Sequence, residues 1–176
     1  MLYGALEAGG TKMVCALGDE NGKIQEQVSI PTTTPEETMP KVVDYFKGKP
    51  IKALGIACFG PVDLRRESPS YGNILETPKL PWRHYPMVKT MREALNIPIG
   101  FDTDVNGSLL GEVTWGCAKG LTDAVYFTIG TGIGAGGHDE RKAPPRDAAP
   151  GGGTHQNVVG TGGYLSGALS KPRGLL

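Results

Sequence analysis

The sequence has no excess of either charge: 18 basic residues stand against 18 acidic ones over 176 positions. A nucleic-acid clamp needs a basic face and a disordered acidic tail needs the opposite bias, so neither class fits. Cysteine is scarce. Cys15, Cys58 and Cys117 are odd in number and far apart, which excludes a disulfide scaffold and a CxxC zinc site within this chain. No apolar run approaches the ~20 residues that span a bilayer. The opening Met1-Leu2-Tyr3-Gly4 lacks the basic flank and apolar stretch of a signal peptide. These absences leave a globular protein of a reducing, cytoplasmic compartment, with length for one domain or for part of a two-domain protein.

Glycine and proline are what the chain has in plenty, 27 and 14 residues, together about twice the usual ~12%. Their distribution divides the chain. Residues 1–137 alternate between strand and helix patterns. Leu2 to Ala8, Met13 to Leu17 and Lys23 to Ile30 read as three strands joined by Gly9-Gly10 and Asn21-Gly22 turns, an antiparallel meander. In the third strand Ile24, Val28 and Ile30 would share a buried face. Thr34, Pro35 and Glu37 spell a capping box, and Met39, Val42, Val43 and Phe46 an apolar helix face interrupted by Pro40. Parallel strands are expected near 51–57, 97–102 and 123–129, with helices near 35–48, 86–96 and 106–116. Val62 to His84 reads as a long loop, and loops of that length are usually functional or disordered. After Gly137 the pattern stops. Residues 138–176 hold eight Gly and four Pro with scattered aliphatics, too little apolar surface to offset ordering entropy. The expectation there is an irregular tail, a changed reading frame or a foreign end.

Several short motifs have chemical potential. Gly9-Gly10-Thr11-Lys12 at a strand tip offers amides, a hydroxyl and an ammonium to a phosphate, or is simply a hairpin turn. Gly130-Thr131-Gly132 follows a strand and is a second phosphate cradle. Gly132-x-Gly134-x-x-Gly137 formally matches GxGxxG, but the required helix cannot form through Ala143-Pro144-Pro145, so a dinucleotide fold is rejected. Asp102 and Asp104 end a strand on one face. Asp104 reads either as a helix N-cap or as a general base at the sheet edge where α/β folds bind ligands. Asn106 is an alternative cap. Cys58 reads as a small core residue and His84 as a surface one. Lys79 and Arg83 are loop cations, more often solvated than functional.

As a set these motifs resemble the ROK family of repressors, open reading frames and kinases, and within it the bacterial fructokinases. The resemblance rests on Glu7-Ala8-Gly9-Gly10-Thr11-Lys12, Phe59-Gly60-Pro61-Val62-Asp63, Thr77-Pro78-Lys79, Trp82-Arg83-His84-Tyr85-Pro86, Thr103-Asp104-Val105-Asn106 and Thr128-Ile129-Gly130-Thr131-Gly132. It covers residues 1–137 and implies one lobe of the α/β, actin-like, ribonuclease-H-like ATPase fold. The implied reaction is transfer of phosphate from ATP, with Mg²⁺, to a hexose, fructose giving fructose 6-phosphate. In this reading Gly9, Gly10, Thr11 and Lys12 form the first phosphate loop and Gly130, Thr131 and Gly132 the second. Glu7 stands near the metal-bound phosphates, Gly60, Pro61 and Thr103 border the sugar, and Asp104 is the base. The family's His-Pro-Glu-x-Gly-His segment and its zinc-binding cysteines have no counterpart after Gly137, so no zinc site is expected. One lobe alone would be a poor kinase, binding phosphates weakly, and its exposed inter-lobe face would favour self-association. Neither nucleic acid nor membrane is an expected partner.

Overall fold

The computed structural model describes residues 1–129, 133–139 and 156–160. Five strands form a mixed sheet in the order β3-β2-β1-β4-β5. β1 (Tyr3–Ala8), β2 (Lys12–Gly18) and β3 (Ile24–Pro31) make the expected antiparallel meander. Its second turn is secured by the Asp19 carboxylate, which accepts from the Asn21 and Lys23 N–H groups at 3.0 and 3.1 Å, and by Gly22 at a φ of +77°. β4 (Leu54–Cys58) and β5 (Ile99–Thr103) extend the sheet in parallel from β1.

Side-chain alternation divides this sheet into two faces. Leu6, Ala8, Ile56 and Cys58 point into a core closed by α1 (Pro35–Phe46) and α2 (Met87–Leu95) through Met39, Val42, Phe46, Met87 and Met91. Burying each of the larger aliphatic side chains contributes roughly 1.5–3 kcal/mol. The opposite face carries Glu7, Ala57 and Asp102 in one register row, and α3 (Asp104–Thr114) lies across it.

Five expectations are corrected. The strand at 123–129 does not extend the first sheet. It is β6 (Asp123–Ile129), antiparallel to β7 (Ile133–Asp139) in a second sheet of order β6-β7-β8. The glycine run is therefore itself a strand from Ile133 onward. Its missing side chains make room for α3, since Cβ atoms at Gly134 and Gly136 would lie 2.9 Å from Val105 Cγ2 and from Asn106 Oδ1. The tail is not irregular throughout: β8 (Gln156–Gly160) pairs antiparallel with β7, and the rest of 140–176 lies outside the described residues. The capping box at Thr34 and Glu37 does not form, because the Thr34 side chain makes no capping bond. Thr38 Oγ1 instead accepts from the Thr33 N–H at 3.0 Å. Pro40 neither starts nor ends α1, because it sits on the exposed side, where water can serve the carbonyl that loses its donor. In β3 only Ile30 is buried, while Ile24 and Val28 are exposed on this edge strand.

Candidate functional site

The three parallel strands end level. Ala8, Cys58 and Thr103 stand in one register row, so the segments that follow them leave the sheet side by side. Neighbouring strands lie about 4.8 Å apart, which puts the Gly9 turn, Phe59-Gly60-Pro61 and Asp104 within about 10 Å along one sheet edge. The sequence-predicted residues of all three segments are thereby brought together.

The first segment is a tight hairpin turn. The Gly9 N–H donates to the Lys12 carbonyl at 3.0 Å, and a Cβ on Gly9 would sit 2.5 Å from that oxygen. Thr32, the residue after β3, clamps the turn: its hydroxyl donates to the Gly9 carbonyl at 2.8 Å and its N–H to the Thr11 carbonyl at 2.9 Å. The N–H groups of Gly10 and Thr11 donate to nothing among the described residues. Two free backbone donors on a rigid turn are the chemistry of an anion cradle. Thr11 and Lys12 are exposed beside them, and Glu7, one residue before the end of β1, presents an exposed carboxylate.

The third segment settles which residue caps α3. Thr103 is the N-cap, its hydroxyl accepting from the Asn106 N–H at 3.2 Å. Neither Asp104 nor Asn106 fills that role. Asp102 locks the same corner, its Oδ1 accepting from the Thr103 N–H at 2.8 Å and from Asn106 Nδ2 at 2.7 Å. Asp104 is thus released from capping and begins the helix half-buried, accepting from the Val105 N–H at 2.9 Å. Burial raises its carboxyl above the usual aspartate range, and the Val105 N–H opposes this only in part. The neighbouring Cys58 thiol is pushed up to about 12, first by burial and then by the Asp104 charge, and so stays neutral. Asn106 is fully buried, and its Oδ1 has no partner among the described residues.

The middle segment opens the long loop. The Gly60–Pro61 peptide is cis, the Leu75 N–H donates to the Pro61 carbonyl at 2.8 Å, and Val62 bridges to Ile74. The residue that organises this loop had no assigned role. Asp63, 3% exposed, receives both arms of the Arg65 guanidinium at 2.9 Å and the Ser68 and Ser70 hydroxyls at 2.6 Å. The Arg65 guanidinium, then the two hydroxyls, hold its carboxyl far below the usual range. An acidic residue two positions before an arginine and just ahead of Ser68-Pro69-Ser70 was the signal available in the sequence. Cys58 is buried in the core as expected, and His84 is exposed and paired with Glu76 through Nε2 at 2.8 Å. Gly130, Thr131 and Gly132 lie between the paired residues Ile129 and Ile133, outside the described residues.

Magnesium, which a phosphoryl-transfer reading implies, keeps most of its water and takes phosphate oxygens with one or two carboxylates. The donor set at this edge suits that habit: Glu7, two positions before Gly9, has an exposed carboxylate, and the turn offers free N–H donors for the phosphates. No three His, Cys, Asp or Glu side chains among the described residues gather to hold a metal by themselves. None of the described helices is long and apolar enough to cross a membrane.

Comparison with known proteins bears on the family and the fold. The fructokinase of Pediococcus pentosaceus is 49% identical over 136 residues, 77% of this chain and 47% of that protein. The fructokinase of Zymomonas mobilis is 45% identical over 141 residues, 77% of this chain and 47% of that protein. The chain thus spans about half the length of the curated relatives it matches. Among solved structures, a ROK family glucokinase from Streptomyces griseus, in complex with glucose and AMPPNP, superposes with a TM-score of 0.66 at 28% identity. That match covers 81% of this chain and 46% of the glucokinase. The five-stranded mixed sheet with flanking helices is that of the actin-like ATPase fold. The ROK family model matches residues 3–141, from β1 through β7, and the chain belongs to the ROK family.

Proposed function

We propose that this chain is the sugar- and phosphate-facing half of an ATP-dependent hexose kinase whose acceptor is fructose, working in the cytoplasm. The observation that carries the reading is the position of Asp104: half-buried, freed from capping by Thr103, and two strands across from a turn with two unused N–H donors. The fructokinase names of relatives near 50% identity support the acceptor.

In this mechanism Gly9, Gly10, Thr11 and Lys12 receive the nucleotide's phosphates, together with Gly130, Thr131 and Gly132 as the second phosphate-binding segment. Gly60 and Pro61 border the sugar, and Thr103 fixes the floor beneath it through the helix cap. Glu7 would hold Mg²⁺ by way of the phosphates, and the ion's contribution is to neutralise charge on their oxygens. Asp104 takes the proton from the sugar hydroxyl as its oxygen bonds to the γ-phosphorus and the bond to ADP breaks. The burial that raises its pKa makes it a better proton acceptor.

The test compares ADP release with fructose, glucose and mannose for the 176-residue chain and for residues 1–137 joined to the C-terminal half of the Pediococcus fructokinase. The joined enzyme is expected to turn over fructose within the ~1–100 s⁻¹ usual for kinases. The chain alone is expected to fall far below, because one lobe leaves hydroxyl and phosphate unaligned. Asp104→Asn in the joined enzyme should lower kcat by roughly 10²–10⁴-fold with nucleotide affinity little changed. Retention of more than about a tenth of kcat overturns the base assignment, and preference for another sugar overturns fructose.

A further inference from the structure

Lys79 belongs to the long loop, 69 positions after Gly10, and nothing in the sequence connects the two. In the structure they touch. A Cβ on Gly10 would lie 2.8 Å from Lys79 Cε, 3.8 Å from Cδ and 3.9 Å from Nζ. The lysine stem therefore crosses the turn where a side chain at position 10 would otherwise stand, and its ammonium ends on the Gly10 side of the turn. This is not a loosely solvated charge. The Lys79 N–H meets Thr77 Oγ1 at 3.4 Å, and its carbonyl accepts from the Trp82 N–H at 2.9 Å. Trp82 is 1% exposed and donates its indole N–H to the Thr33 carbonyl at 2.7 Å. The root of the lysine is thus fixed to the core. Of its neighbours in the loop, Arg65 pairs with Asp63 and both Arg83 and His84 with Glu76, while Arg66 is exposed. Lys79 has no ion pair among the described residues.

We propose that Lys79 is a phosphate-binding residue, the cation that joins the Gly10 and Thr11 N–H donors in holding the polyphosphate chain of a nucleoside triphosphate. The proposal rests on the kinase reading above. It makes the loop that borders the sugar also report on the nucleotide, since one end is tied to Pro61 and the other carries the ammonium. Oxyanions bound by N–H donors together with a fixed cation are held by charge-assisted bonds, roughly twice as strong as neutral ones.

The experiment uses the 176-residue chain, its Lys79→Met variant, which keeps the length of the stem, and Lys79→Gln as a second variant should the first fail to fold. Binding of magnesium tripolyphosphate and of fructose 6-phosphate is measured by calorimetry at two salt concentrations, with melting temperatures as the folding check. The expected result is a loss of tripolyphosphate affinity of about tenfold or more. The salt dependence should also shrink, which a merely structural lysine would not produce. Equal affinity and equal salt dependence in parent and folded variant overturn the role of Lys79 and leave the kinase reading standing. A loss confined to fructose 6-phosphate assigns the charge to the sugar's phosphate and overturns the nucleotide assignment. A parent chain that binds no tripolyphosphate overturns the phosphate turn itself, and the role of Lys79 with it.

Discussion

Gly107 is a point of close approach between α3 and the sheet, and replacing it with alanine sets two effects of opposite sign against each other. Removing glycine from a helix interior stabilises by roughly 1 kcal/mol. The new methyl, however, would lie 2.5 Å from Ala57 Cβ and 3.7 Å from Ala57 Cα, whereas carbon atoms in contact prefer about 3.5–4.0 Å. Both methyls are fixed to their backbones and neither can rotate away, so α3 and β4 must separate by about 1 Å. Overpacking of this kind costs about 1–3 kcal/mol, and a backbone-to-backbone clash belongs at the upper end. The net expectation is a destabilisation of about 1–2 kcal/mol, which lowers Tm by a few degrees in a chain of this size. Urea unfolding followed by circular dichroism would measure it for Gly107→Ala, Ala57→Gly and the pair. The pair should recover by about 0.5 kcal/mol or more relative to additivity, because it removes the clashing partner. In the joined enzyme the same shift moves Asp104, three residues earlier on the helix, and a 1 Å misplacement costs on the order of 100-fold in rate. A Gly107→Ala variant more stable than the parent, with additive behaviour in the pair, would refute the close-packing argument.

Two further outcomes follow from features outside the reacting centre. Because Arg65, Ser68 and Ser70 hold the Asp63 carboxyl below its unfolded value, its contribution to stability is complete above the ordinary aspartate pKa of ~3.9 and fades as pH falls below it. Asp63→Asn should melt below the parent at pH 7 and approach it in acid; a difference independent of pH would contradict the carboxylate's role. On the second sheet, Val125, Phe127 and Ile129 alternate on one face of β6 and are 65%, 59% and 81% exposed. An apolar row of this kind should make the chain self-associate, and Val125→Lys with Phe127→Lys should return it to a monomer in light scattering. A parent chain that is already monomeric at the same concentration would remove the argument.

The meander, the two parallel strands and the three helices were legible from residue patterns because each depends on local chemistry: apolar alternation, Gly and Asn at turns, an amphipathic period. The grouping of Gly9 to Lys12, Gly60-Pro61 and Asp104 was legible only through resemblance, since no local rule states that three segments up to 95 positions apart end on one edge. The register row Ala8, Cys58, Thr103 is what brings them together.

Other features were decided by tertiary contacts alone. The choice between base and cap for Asp104 was open in the sequence, because Asp, Asn and Thr all cap helices. The fold removes only the cap: the Thr103 hydroxyl accepts from the Asn106 N–H in that role, and Asp102 anchors the Asn106 side chain from the strand. The strand character of Ile133–Asp139 was hidden because glycine carries no apolar signal, yet glycine is what lets α3 lie against it. Lys79 read as a solvated loop charge because no local pattern shows that its side chain packs on the Gly10 turn. Sequence by itself determined the elements and the types of chemistry available, because propensity and patterning act over a few residues. Which side chains meet at the sheet edge is a property of register and packing between distant segments, and only the folded chain decides it.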